Sequence, residues 1–276
     1  MKAGLTVFLA TFLIMSNTWA QDKLDFYSDV ASVLENKILP RLLVGLPSRE
    51  RAVVERLDVI FVPNPALVTT VLTEKSSQKV YLYAGFMDGL FQYVDCNLMF
   101  PRPGGERVCN AYFDYYFTLV SNGRVVPDDF AYFVLADDEK VENWYANKQL
   151  NQARNTMFLS ALVNVLAHET GHHVVGFNTR NASVSDIREL EAKVDEWAYS
   201  ALHNMGENPI IGAALALGYV AQMDRFREAH DVPGIAVHPS PRSRVQDALD
   251  KGCRPPFSKE KARACDLIER LVANYE

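Results

Sequence analysis

The sequence predicts an α+β chain, mainly helical, with a small β-sheet beside one central helix. Three observations predict it. In 159–173, Leu159, Leu162, Val163 and Leu166 recur at three- and four-residue spacing, the mark of a helix with one buried face. Two short runs, 59–62 and 79–83, branch or alternate as strands do. The helix of 159–173 ends in His168-Glu169-Thr170-Gly171-His172, an H-E-x-x-H pattern that needs a helix to work.

Taken in order, Met1–Ala20 reads as a secretory signal: Lys2, an apolar core over 5–15, and Ala20 as a small residue before the cleavage point. The core is too short to span a bilayer, which takes about 20 apolar residues. An uncleaved anchor remains the alternative. Residues 21–276 then form a single domain, exported to the periplasm or beyond the cell. Its charge is mildly acidic, −6 for the whole chain, and no basic run stands out, which argues against nucleic acid as a partner.

Residues 23–39 pattern as a first helix, stopped by Pro40. A second is expected over 47–57, with Pro47 in its first turn. The strands 59–62 and 79–83 follow. Between 91 and 155 we expect a β insertion. Its aromatic runs, 111–120 and 130–135, with Asn122-Gly123 between them, read as antiparallel strands. Such strands could form plain sheet core or an edge that pairs with an extended peptide. Four cysteines in an exported chain suggest two disulfides, Cys96–Cys109 and Cys253–Cys265, each closing a short turn-rich loop.

On the central helix, His168 and His172 are four apart and share a face. Two imidazoles so placed can hold one Zn²⁺, and Glu169 beside them can take a proton from water. His173 faces elsewhere and is not a ligand. A third ligand is needed. Residues 186–202 pattern as another helix, on which Glu191 and Asp195 share a face. Glu191 is read as the third ligand. Asp195 would accept from the non-ligating nitrogen of a histidine. The competing reading is a solvated acidic face, since Glu189 and Glu196 lie alongside. Residues 208–228 form an apolar helix whose run is too short for a membrane span. Asn181-Ala182-Ser183 is a glycosylation sequon, meaningful only in a eukaryotic secretory route.

H-E-x-G-H followed by Glu191-x-x-x-Asp195-x-x-Ala198 resembles the gluzincin metallopeptidases, in particular the HtpX-like, CAAX-prenyl-protease-like and Oma-type family. Val62-Pro-Asn-Pro65, residues 79–90 and His238-Pro-Ser-Pro-Arg-Ser-Arg244 resemble further elements of that family. The resemblance implies a zincin-like metallopeptidase fold with one Zn²⁺ per chain, held by His168, His172 and Glu191, and Glu169 as base. It implies that His238 or Arg244 closes on the site, either stabilising the oxyanion or locking the metal helices through a carboxylate. The expected activity is endopeptidase action on polypeptides, with envelope or membrane-protein clients in quality control. A zinc-binding assembly factor or chaperone with a latent site is the alternative. Between 90 and 155 the chain departs from the family, so substrate choice is open, as are oligomeric state and whether the site is covered.

Overall fold

The computed structural model describes residues 21–253, apart from 69–70, 75–76, 102–104, 125, 127, 177–181, 208 and 231–239, together with Cys265 and Glu269. The signal segment 1–20, Asn181 and His238 lie outside the described residues. Among those described, no helix is long and apolar enough to cross a membrane.

Among the described residues, eleven α-helices and three strands follow in order. Helix α1 (Gln21–Val33) runs through a π-helical turn (Leu34–Ile38) into α2 (Leu39–Leu42), and α3 (Ser48–Val54) follows. Pro40 does not stop the first helix, as the sequence led us to expect. Leu39 N–H reaches back to Leu34 O across the wide π turn, and Pro40, which lacks an N–H, falls at the first positions of the next helical stretch.

Strands β1 (Asp58–Val62), β2 (Val71–Glu74) and β3 (Lys79–Tyr83) make one sheet in the order β1-β3-β2. β1 runs parallel to β3, with Asp58 opposite Lys79 and Val62 opposite Tyr83. β2 runs antiparallel to it, with Val71 opposite Leu82. The sequence reading found β1 and β3 and missed β2. The chain is therefore mainly helical with a small sheet, as expected.

Next come α4 (Ala84–Met99), α5 (Glu106–Ser121), α6 (Phe130–Leu135) and α7 (Asp138–Ala146). The two aromatic runs expected as strands lie in α5 and α6, so the described residues of 91–155 form a helical segment and not a β insertion. The buried residues of α5 are Cys109, Tyr112, Phe113, Tyr116, Phe117 and Val120, which recur at helical spacing. Tyr112 and Phe130 meet edge to face across α5 and α6. Asn122-Gly123 is not a hairpin turn but a helix stop. Gly123, at φ +68°, donates to Val120 O, and Arg124 N–H returns to Leu119 O, the two bonds of a Schellman motif.

The central helix α8 (Lys148–Val175) has 28 residues. Asn147 caps its start by accepting from Gln149 N–H and Leu150 N–H, and Gly176, at φ +85°, ends it. Helices α9 (Val184–Asn204) and α10 (Pro209–Ala229) pack along α8, which also meets α4 and the sheet at β2 and β3. Close packing of α10 is made possible by Gly212, where a Cβ would come within 2.3 Å of Ser160 O. Helix α11 (Pro241–Gly252) lies on α10 and touches α9.

One large apolar core surrounds α8, and a smaller one joins α9, α10 and α11. Cys96 and Cys109 are disulfide-bonded between α4 and α5, and Cys253 and Cys265 are bonded at the end of α11; each pair has its Cα atoms 5.8 Å apart. Both pairings match the sequence reading.

A buried charge network ties α1, α4, α6, α7 and α8 together. Lys23 Nζ lies 2.5 Å from Asp129 and 3.2 Å from Asp88. Arg154 Nε lies 2.5 Å from Asp95, and Tyr145 donates to both Asp95 and Asp129. Burial pushes the Asp95 and Asp129 carboxyls up, and the adjacent Arg154 and Lys23 pull each back.

Candidate metal centre

Helix α8 places His168 and His172 on one face one turn apart, their rings nearly perpendicular with centroids 4.8 Å apart. The two Nε2 atoms are 3.2 Å apart. Helix α9 brings Glu191 to the same point. One of its oxygens lies 3.3 Å from His168 Nε2 and the other 3.6 Å from His172 Nε2. Glu191 is 2% exposed, so this carboxylate is aimed inward and is not part of a solvated face. Its neighbours Glu189 and Glu196 are exposed, and Glu189 pairs with Lys193. The acidic helix therefore divides into a buried and a solvated side.

Glu169 also belongs to the cluster. One oxygen of Glu169 and one nitrogen from each of His168 and His172 fall within 4.8 Å of one another. Two carboxylates thus compete for the place of third ligand. Glu191 lies 3.3 and 3.6 Å from the two nitrogens and is the deeper, while Glu169 is half-buried beside the imidazoles. His173 is buried and is not in that cluster.

The approach of α9 to α8 depends on Gly171. A Cβ there would meet Val194 Cγ1 at 3.0 Å, Val194 O at 3.2 Å and Trp197 Cε3 at 3.2 Å. Trp197 in turn donates from Nε1 to Glu50 of α3 at 2.8 Å, bracing α9 from outside. The Ser183–Asp186 capping box starts α9. Sequence reasoning missed Gly171 as a spacer and Glu50 as a brace. The fixed glycine in H-E-x-G-H was a signal for the first; nothing local marks the second.

Behind the imidazoles sits Asp195. It accepts from His168 Nδ1 at 2.9 Å, and Arg244 grips it with Nε at 2.7 Å and Nη2 at 2.8 Å. Arg244 Nη2 also lies 3.3 Å from His168 Nδ1. Burial works against the Asp195 charge, but Arg244 and His168 outweigh it and hold the carboxyl well below the usual range. An ionised Asp195 can only accept, so the His168 Nδ1 carries hydrogen and Nε2 is the edge that faces Glu191. Burial lowers the His168 pKa, yet its hydrogen bonds to Asp195 and Glu191 prevail and push it up to about 9. Arg244 joins α11 to α9 through a carboxylate. Its guanidinium is engaged on the Nδ1 side of His168, where it grips the Asp195 carboxylate.

Two imidazoles and a buried carboxylate converging from two helices, with a second carboxylate alongside, form a centre suited to metal-assisted hydrolysis. The chain belongs to the Peptidase U49 family, whose model matches residues 98–256, more than half its length. That span holds every residue of the cluster, and the protein is accordingly a peptidase by family. No curated protein and no solved structure matches it.

Proposed function

We propose that this peptidase is an exported zinc endopeptidase of the gluzincin type, with a zincin-like fold akin to the HtpX-like, CAAX-prenyl-protease-like and Oma-type enzymes. One observation carries the reading: the facing atoms of His168, His172 and Glu191 lie 3.2, 3.3 and 3.6 Å apart. A tetrahedral zinc ion with ligands at about 2.0–2.2 Å spaces them by roughly 3.3–3.6 Å. The donor set, two nitrogens and one carboxylate, suits zinc; calcium and magnesium prefer all-oxygen shells.

When bound, zinc would polarise both the scissile carbonyl and the attacking water. The protein's own residues do the rest. His168, His172 and Glu191 would hold the ion. Asp195 keeps the proton of His168 on Nδ1 and leaves Nε2 to the metal. Glu169 takes the proton from water and passes it to the leaving amine. Arg244 keeps Asp195 ionised and in place. The edge strand β2 packs beside α8 and offers the backbone on which an extended polypeptide would lie, the role once open to the aromatic runs. The signal-like 1–20 and the paired cysteines support export, and the family resemblance supports an envelope quality-control role.

The test is zinc per chain by elemental mass spectrometry for the wild type and Glu191→Ala, with cleavage of an unfolded polypeptide measured alongside. Near one zinc in the wild type, a clear loss in the variant and chelator-sensitive cleavage are expected. A metal-replete wild type without zinc would end the reading.

A further inference from the structure

The second, smaller core connects the metal centre to a disulfide. It packs Tyr199 of α9 against Ile210 and Leu217 of α10, Val245 and Leu249 of α11, and Cys265. Cys265 is buried in it and bonded to Cys253, which directly follows α11. This core touches the metal centre at two places. Tyr199 lies one turn beyond Asp195 on α9, and Val245 adjoins Arg244 on α11. Among the described residues, α11 packs chiefly on α10, touches α9, and is tied down by the Arg244–Asp195 pair and this disulfide.

The two disulfides differ in access. Cys96 and Cys109 are both buried in the large core. Cys253 is half-buried at a helix end. Thiol–disulfide exchange needs an attacking thiolate to reach a sulfur, so the Cys253–Cys265 bond is the one open to it.

We propose that the Cys253–Cys265 disulfide is a thiol-sensitive staple that sets the metal affinity of the His168–His172–Glu191 centre. It seats α11, and α11 carries the guanidinium that holds Asp195 against His168. This rests on the zinc reading above. Reduction by a dithiol donates two electrons and two protons, gives two thiols, and turns the dithiol into a disulfide. The staple is lost, Arg244 no longer restrains Asp195, and His168 becomes a poorer ligand. The chain therefore holds metal more weakly in a reducing compartment than after oxidation.

The experiment measures zinc affinity by competition with a chromophoric chelator on the purified full chain, oxidised, with circular dichroism confirming the fold. The variants are C253S/C265S, C96S/C109S, R244M and the triple R244M/C253S/C265S. C253S/C265S and R244M should each bind zinc about 10–100-fold more weakly, the range for losing support behind a metal ligand. C96S/C109S should stay within about threefold of wild type, and the triple variant should be no weaker than R244M, because both changes act through one path. Should C253S/C265S not fold, native protein reduced with a phosphine and alkylated at these two cysteines gives the same comparison. Wild-type affinity in the unstapled protein overturns the proposal, as does a triple variant showing the product of the two losses. If the oxidised wild type itself takes no zinc, the zinc reading fails and this inference falls with it.

Discussion

Asp195 Oδ1 lies 2.9 Å from His168 Nδ1, and the same oxygen accepts from Arg244 Nη2 at 2.8 Å. One carboxylate thus ties His168 of α8 to Arg244 of α11, 76 residues further along the chain. Asp195→Asn removes the acceptor charge, frees the tautomer of His168 and leaves Arg244 buried without its counter-ion. Zinc affinity should fall about 10–100-fold. A chelator competition titration on the folded variant checks this; unchanged affinity would remove Asp195 from the centre.

Glu169 is beside the imidazoles but is the outer of the two carboxylates. Glu169→Gln should retain one zinc per chain and lose turnover by about 10²–10⁴-fold, the usual loss when a positioned base is removed. Metal content and single-turnover cleavage on the same preparation separate the two effects. Retention of both would mean that another group takes the proton. If zinc were lost with Glu169→Gln and kept with Glu191→Ala, the ligand and base assignments would be exchanged.

The proton on His168 competes with metal. Its pKa in the metal-free fold, about 9, lies above the ordinary 6.5, so the neutral form that binds zinc is the minority form at neutral pH. Apparent zinc affinity should weaken about tenfold per unit as pH falls below about 9, with close to one proton released per zinc near neutrality. The same shift stabilises the metal-free fold. That contribution is complete below about 6.5 and is lost as pH rises through about 9. Calorimetric zinc titration in buffers of different ionisation enthalpy counts the protons. A pH-independent affinity between 6 and 9 would contradict the arrangement of Asp195 and Glu191 about His168.

Away from the centre, Arg154 is 1% exposed and pairs with Asp95, which is fully buried. The guanidinium is also 4.8 Å over the Tyr145 ring. Arg154→Met keeps the volume and strands a buried carboxylate. The expected cost is about 3–5 kcal/mol in denaturant unfolding, against a smaller cost when Asp95→Asn is added, since the stranded charge is then gone. An equal or larger loss in the double variant would show that the pair matters through packing alone.

The sequence by itself determined the parts whose information is local. Helical periodicity placed α8, H-E-x-x-H put two imidazoles one turn apart, and the four-residue spacing of Glu191 and Asp195 put both on one face of α9. Short spacings also predicted both cysteine pairs. The aromatic runs failed on a competing signal. Aromatic enrichment reads as strand, while the 112, 113, 116, 117 and 120 pattern, equally present, is helical, and Gly123 ends a helix as readily as it turns a hairpin. Only the tertiary structure decided which acidic residues are buried, that Arg244 holds Asp195, that Glu50 braces Trp197, and that Lys23 reaches Asp129. The physical reason is reach. Spacing along a helix fixes which side chains share a face, because backbone geometry does so within a few residues. Partners lying 49, 106 and 147 residues apart meet only because the helices pack, and packing depends on the whole core at once.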